Sequence, residues 1–221
     1  MSTDATIQFL GAAGTVTGSR YLLTIDGMRI LVDAGLFQEP DVEPLNLEPF
    51  EVDPATIDAV VVTHAHIDHS GYVPRLVRDG FRGPVWCTPA TAALLEIMWE
   101  DVARMAEQDS EVAARHHHRA RRHHEGPPPI YRQADVAQAL RQVQTAEYGA
   151  TTRLARGITV TFRDAGHILG AATVLIEWTE GKQRARILFS GDLGRPAMPV
   201  LHDPSRAPDA EYVVLESTYG D

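Results

Sequence analysis

The sequence predicts an α+β fold in which two stacked sheets are flanked by helices. Three observations carry that expectation. Short apolar runs rich in β-branched residues fill the first and last thirds of the chain, helical spacing fills the middle, and turn residues separate the runs. Strands, then helices, then strands keeps the helices apart from the sheets in sequence, so they would cover the outer faces. With 221 residues, 44% of them hydrophobic, the chain is long enough for one domain with a sizeable core.

The first strands are expected at Thr6–Leu10, Tyr21–Ile25, Arg29–Val32 and Ala59–Thr63, with turns at Gly11–Gly18, Asp26-Gly27 and Asp33–Gly35. Asp26-Gly27 between two apolar runs predicts a tight hairpin. Ala59–Val62 lacks polar alternation, as a strand covered on both faces does. Residues 39–54, with four prolines among acids, read as a loop crossing the surface. Val73, Leu76 and Val77 place a helix within Gly71–Asp79, and Pro84–Thr88 reads as a short strand. Thr88 followed by Pro89 is an N-cap with proline at the first helical position. A long helix then runs from about Pro89 to about Arg122, ended by Gly126-Pro127-Pro128-Pro129. Asp135–Tyr148 is expected to be a second helix, stopped by Gly149. Strands return at Ile158–Phe162, Ala172–Trp178, Arg186–Phe189 and Tyr212–Leu215.

Lys+Arg total 20 and Asp+Glu 30, a formal net charge of −10. That balance excludes a nucleic-acid binder working through bulk positive charge, but not an enzyme whose metal ions supply positive charge locally. The single cysteine, Cys87, excludes an internal disulfide and a cysteine-only metal site. It reads as a buried strand thiol. The N-terminus lacks the pattern of a secretion signal, and no apolar run approaches the roughly 18 residues of a membrane span. A cytoplasmic setting with no membrane role is expected.

The decisive segment is Thr63-His64-Ala65-His66-Ile67-Asp68-His69-Ser70-Gly71. Four metal-ligand side chains fall within six residues, directly after a buried strand. His64 and His66, two apart in an extended segment, project to the same side and can share one ion. Asp68 and His69 follow as the chain turns into a helix and can face a second ion. Imidazole and carboxylate donors suit Zn²⁺, with Mn²⁺ also accommodated. His167, in Ala165–Ala172, lies just before a strand, and Asp192, in Phe189–Gly194, lies at the end of one. Alone, His167 could be a loop histidine and Asp192 a turn residue; beside the 64–69 segment they read as ligands, Asp192 bridging two ions. Asp33, also at a strand end, is expected to accept a ligand-histidine N–H or to hold its loop, an ordinary hairpin aspartate being the alternative. The run His116–His124 reads as a solvated helix end rather than a site. Trp86, Trp99 and Trp178 read as core or interface residues.

Asp33, His64-x-His66-x-Asp68-His69, His167 and Asp192, in this order, resemble the metallo-β-lactamase superfamily. More narrowly, the chain resembles its β-CASP branch of RNA-processing nucleases. Gly11–Ser19 resembles that branch's glycine motif, Thr88–Asp101 with Pro129-Ile130-Tyr131 its helical insertion, and Glu216–Asp221 the acidic motif that opens its β-CASP domain. The resemblance implies an incomplete αββα sandwich: residues 1–215 as the N-terminal part of the hydrolase domain, and 216–221 as the start of a β-CASP domain. It implies an N-terminal piece of a longer enzyme, or one half of a split one, lacking the β-CASP cap and the returning segment with its two further histidines. His202, beside a Pro-rich loop, is not expected to replace either.

The resemblance further implies two Zn²⁺ ions, one on His64, His66 and His167, the other on Asp68, His69 and the shared Asp192. A metal-bridging hydroxide would attack phosphorus in RNA, Asp68 would orient it, and Glu216 would support the absent general-acid histidine. The second ion would bind more weakly in this chain than in a longer form, and the chain alone would be inactive or weakly active. RNA, the missing segment or a partner chain, and a second copy in a homodimer are the implied partners. Two alternatives stay open: a thioester or lactone hydrolase on the same scaffold, and an inactive metal-binding scaffold subunit.

Overall fold

The structure, a computed structural model, describes residues 5–119, 128–180 and 183–218, with backbone alone at 113–119, 180 and 183. Two sheets stack face to face. The first begins as an antiparallel meander of β1 (Ala5–Gly11), β2 (Arg20–Ile25) and β3 (Met28–Val32). Asp26 and Gly27, at φ 49° and 84°, close the β2–β3 hairpin as a turn of the kind that an Asp-Gly pair favours. Three short strands then add in parallel: β4 (Ala59–Val61), β5 (Val85–Cys87) and β6 (Val143–Thr145). The second sheet has the order β11-β10-β9-β8-β7, from β7 (Thr151–Ala155), β8 (Ile158–Asp164), β9 (Ala172–Glu180), β10 (Gln183–Phe189) and β11 (Tyr212–Val214). Its strands are antiparallel except β11, which runs parallel to β10.

Alternation along the central strands explains how one sheet serves two cores. Leu23, Ile25, Ile30, Val32 and Val61 face the second sheet and pack with Val160, Phe162, Val174, Ile176 and Phe189. Their neighbours Leu22, Leu31, Val60 and Val62 point the other way, into a layer with Leu76, Val77, Leu95 and Trp99. Each such aliphatic side chain contributes about 1.5–3 kcal/mol by leaving water. The outward layer is helical: α1 (Ile67–Ser70), α2 (Val73–Arg78), α3 (Pro89–Arg119) and α4 (Gln133–Leu140). Thr88 caps α3, its hydroxyl accepting from Thr91 N at 3.2 Å. No helix among the described residues is long and apolar enough to cross a membrane.

Several expectations are corrected. The described helices cover the outer face of the first sheet only, because the β2–β4 runs are apolar on both faces and recruit them there. The helix expected at Asp135–Tyr148 ends at Leu140; Val85 N bonds to Gln142 O at 2.9 Å, and the next three residues become β6 against β5. The strand β7 was absent from the expected pattern. Residues 39–54 are not a plain surface loop, since Asn46, Val52 and Pro54 are buried within two 3-10 turns and their connection. The fourth strand ends at Val61, two residues before Thr63. Trp99 and Trp178 are buried and Trp86 partly so. The end of the long helix at residues 120–127, and the side chains of the His116–His124 run, lie outside the described residues.

Candidate metal centre

Three loops meet at one rim of the sandwich, each leaving a strand of the central layers. Residues 62–66 follow β4, residues 165–171 join β8 to β9, and residues 190–194 follow β10. Backbone bonds tie them together. Ala172 N donates to Thr63 O at 2.9 Å and Gly194 N to Ala165 O at 2.8 Å. The loop of His167 is further pinned from outside: the Thr88 and Thr91 hydroxyls donate to Gly170 O at 2.7 and 2.9 Å, and Tyr148 OH donates to Ala171 O at 2.9 Å.

These loops bring His64, His66, His167 and Asp192 together, with one donor atom of each within 4.8 Å of every other. His66 Nδ1 lies 3.1 Å from His64 Nε2 and 3.3 Å from His167 Nε2. Asp192 Oδ2 lies 3.4 Å from His167 Nε2 and 3.7 Å from His64 Nε2. Donors held about 2.0–2.1 Å from a tetrahedral ion sit about 3.3–3.4 Å apart. The four residues therefore fit a divalent cation in both donor chemistry and spacing.

The other carboxylate oxygen of Asp192 faces a second group. Oδ1 lies 3.1 Å from His69 Nε2, which is 3.7 Å from Asp68 Oδ2 and 3.4 Å from Ser19 Oγ. Asp68 and His69 ride on α1, whose first residue follows His66. Asp33 lies behind His69, its Oδ2 2.8 Å from His69 Nδ1. Asp33 is buried at φ 57°, a left-handed conformation that aspartate tolerates better than most residues.

The hydrogen bonds set which nitrogens are bare. Thr63 donates to Asp33 twice, from N at 2.7 Å and from Oγ1 at 2.8 Å. With its proton so committed, the Thr63 hydroxyl accepts from His64 Nδ1 at 3.0 Å. His64 Nε2 is then a free lone pair aimed into the cluster, whereas His69 donates from Nδ1 to Asp33 and faces Asp192 through Nε2, which must shed its proton to ligate an ion. Burial pulls the His64 imidazole well below its ordinary value, and His69 beside it works the same way, so His64 is neutral. Burial also lowers His66, with His167 adding to it. For His69, burial alone would lower the value, but bonds to Asp192 and Asp33 outweigh it and bring it to about 10. Burial raises the Asp33 carboxyl; the His69 and Thr63 donors oppose it. Burial would raise Asp192 too, but the surrounding imidazoles, His69 first, hold its carboxyl below the usual range.

A cleft of about 580 Å³ opens beside this group, lined by Ser19, Tyr21, Asp68, His69, Asp192 and Glu216 among others. Glu216 accepts from Leu193 N, and its own N donates to Ser190 Oγ at 2.9 Å, so it grips the loop that carries Asp192. Glu39 clasps the 12–18 loop at the cleft mouth, accepting from Val16 N at 2.6 Å and Thr17 N at 3.1 Å. His202 stands away from the cluster, exposed, 3.3 Å from Asp164 Oδ2. Every residue singled out from the sequence as a ligand lies at this rim. Thr63, Ser19 and Glu39 were not singled out; hydroxyls and a lone glutamate carry no spacing signal, and only the adjacency of Thr63 to His64 hinted at it.

A family model described as the metallo-beta-lactamase superfamily matches residues 13–217. Ribonuclease TTHA0252 of Thermus thermophilus is 40% identical over 211 residues, covering 96% of this chain and 43% of the relative. Transcription termination factor FttA of Methanosarcina mazei is 36% identical over 224 residues, covering 96% of this chain and 31% of the relative. The chain thus spans less than half the length of these curated relatives. Among solved structures, a metallo-beta-lactamase motif mutant from Cronobacter sakazakii superposes with a TM-score of 0.50 at 23% identity, covering 90% of this chain and 67% of that one, a likeness of fold.

Proposed function

The chain belongs to the metallo-beta-lactamase superfamily, in its β-CASP branch, and on that premise we propose that its metal centre hydrolyses phosphodiester bonds in RNA. The observation that carries this reading is the two-sided placement of Asp192, with Oδ2 toward His64 and His167 and Oδ1 toward His69. In this reading His64, His66, His167 and Asp192 hold one Zn²⁺, and Asp68, His69 and the shared Asp192 hold a second, Mn²⁺ being an acceptable substitute. Such ions, when bound, activate water as a nucleophile near neutral pH and offset charge on the phosphoryl oxygens.

The chain's own residues supply the rest. Asp68 borders the cleft and takes the proton-accepting, orienting role toward the attacking water. Asp33 holds the His69 ring, and Thr63 holds both Asp33 and His64, so the Nε2 atoms keep their aim. Glu216 steadies the Asp192 loop and supports a proton donor to the leaving group from outside residues 1–215, the hydrolase part; residues 216–221 open the next domain. With a net charge of −10, tracking of the RNA backbone falls to basic surface beyond this chain, on a further segment, a partner or a second copy. A cytoplasmic location accords with an RNA substrate.

The test incubates the metal-loaded chain, and a longer form carrying the segment its relatives add, with labelled RNA and with a thioester. RNA cleavage that is faster in the longer form, lost on chelation, and unaccompanied by thioester hydrolysis is expected. Thioester or lactone turnover without RNA cleavage would overturn the proposal.

A further inference from the structure

Arg20, the first residue of β2, is a charged side chain only 5% exposed. Three rings surround its guanidinium carbon, with centroids at 4.2 Å for Tyr72, 4.6 Å for Phe37 and 5.6 Å for Phe50. Nε donates to Gly35 O at 2.8 Å, and a terminal nitrogen donates to Asn46 Oδ1 at 3.3 Å. Burial lowers Arg20 to about 10, against the opposing influence of Tyr72 and Glu51. A methionine of similar length would fill such an aromatic cage without that penalty. What the guanidinium adds is a fixed planar fork, here aimed at one backbone carbonyl.

That carbonyl belongs to the strip on which α1 rests. Ala34 N donates to His69 O at 2.7 Å, and Leu36 N donates to Ile67 O at 2.8 Å. Ser19 N donates to Asp68 O at 2.8 Å, and Gly35 N donates back to Ser19 O at 3.0 Å. Residue 35 lies so close to α1 that a Cβ there would stand 1.6 Å from Asp68 O. Three successive carbonyls of α1, at 67, 68 and 69, are thus held by residues 36, 19 and 34, and Arg20 fixes the Gly35 peptide at the centre of that bed.

We propose that Arg20 is a positioning residue: by locking the Gly35 peptide it sets where α1 presents Asp68 and His69 to Asp192. The inference rests on the two-ion reading above for its functional meaning, and on the backbone strip for its structural meaning. It predicts a selective effect. The ion on His64, His66 and His167, of which only His66 adjoins α1, is affected less, whereas the ion on Asp68 and His69 is weakened more.

The test titrates the metal-free chain with Zn²⁺ by calorimetry and follows amide exchange at Ala34 and Leu36. In Arg20→Met the second equivalent weakens by about 10–100-fold, as for residues that orient ligands, while the first weakens clearly less. Arg20→Lys, which keeps a cation and one donor, recovers part of the loss. The proposal is overturned if folded Arg20→Met binds both equivalents as the parent does, or if it loses both equally. Should Arg20→Met not fold, Arg20→Lys carries the test, with a smaller selective loss expected and an unchanged isotherm overturning the assignment. If the parent chain binds a single equivalent, the two-ion reading fails by itself, and amide exchange decides about Arg20. Exchange at Ala34 and Leu36 faster in Arg20→Lys supports the assignment, and unchanged exchange overturns it.

Discussion

Asp33 and His69 form a buried pair, Oδ2 to Nδ1 at 2.8 Å, with Asp33 also accepting two bonds from Thr63. Asp33→Ala leaves three donors facing a void, and removing one partner of a buried pair costs about 3–5 kcal/mol. Urea unfolding of the metal-free chain checks the figure. Asp33→Asn keeps the shape and is expected to lose less stability, yet to weaken divalent-metal binding by about 10–100-fold because His69 Nδ1 loses the carboxylate that orients the ring and makes it a stronger ligand.

Asp192→Asn separates a shared ligand from a private one. It replaces one carboxylate oxygen by an amide, so binding at both halves of the centre is expected to weaken in a Zn²⁺ titration. His69→Ala is expected to weaken only the half it lines. Equal losses in the two variants would show that Asp192 serves one ion alone.

Glu39 gives a pH dependence of defined sign. Its bond to the Thr17 hydroxyl, aided by bonds from the Thr17 and Val16 amides, pulls its carboxyl down to about 2 against the opposing effect of burial. A folded value below the ordinary 4.5 means that the clasp is fully formed above about pH 4.5 and is lost as pH falls toward 2. Protection of the Val16 and Thr17 amides, measured against their intrinsic exchange rate at each pH, is expected to fall as pH drops across that interval in the parent chain. In Glu39→Gln protection is expected to be low and nearly flat with pH.

Cys87 is buried, and burial pushes its thiol up to about 12. Iodoacetamide at pH 8 is therefore expected to label the unfolded chain and to spare the folded one. The raised value favours the protonated thiol in the folded state, so this contribution is complete below about pH 9 and declines as pH rises toward 12. Thermal melts of Cys87→Ala against the parent between pH 8 and pH 11 check it: the parent should lose the larger share of stability.

Trp99 ties the long helix to the site. It is fully buried and donates from Nε1 to Ser70 O, at the end of α1, at 3.1 Å. Trp99→Ala is expected to cost about 3–5 kcal/mol, the range for truncating a large core aromatic to alanine, measured by chemical unfolding.

The central strands were legible because their apolar runs were continuous, and Val60 and Val62 do face one core while Val61 faces the other. The edges were not. Val143–Thr145 becomes a strand only because β5 offers it a partner, and Thr151–Ala155 is a half-exposed edge whose polar residues carry no alternation. At the site, side chains with strong donors announced themselves by spacing, as His64, His66 and His69 did. Arg20 could not, because its partners at 35, 37, 46, 50 and 72 are gathered by folding and not by any local pattern.

His66 and His167 stand 101 residues apart in sequence and 3.3 Å apart at their ring nitrogens, on loops from opposite sheets. An ion seated between them would act as a rivet through both halves of the sandwich, favouring the folded chain by mass action because its site exists only there, and so coupling occupancy to survival. Such a chain would resist protease while loaded and become cleavable once stripped, so that metal supply would govern its lifetime as well as its chemistry.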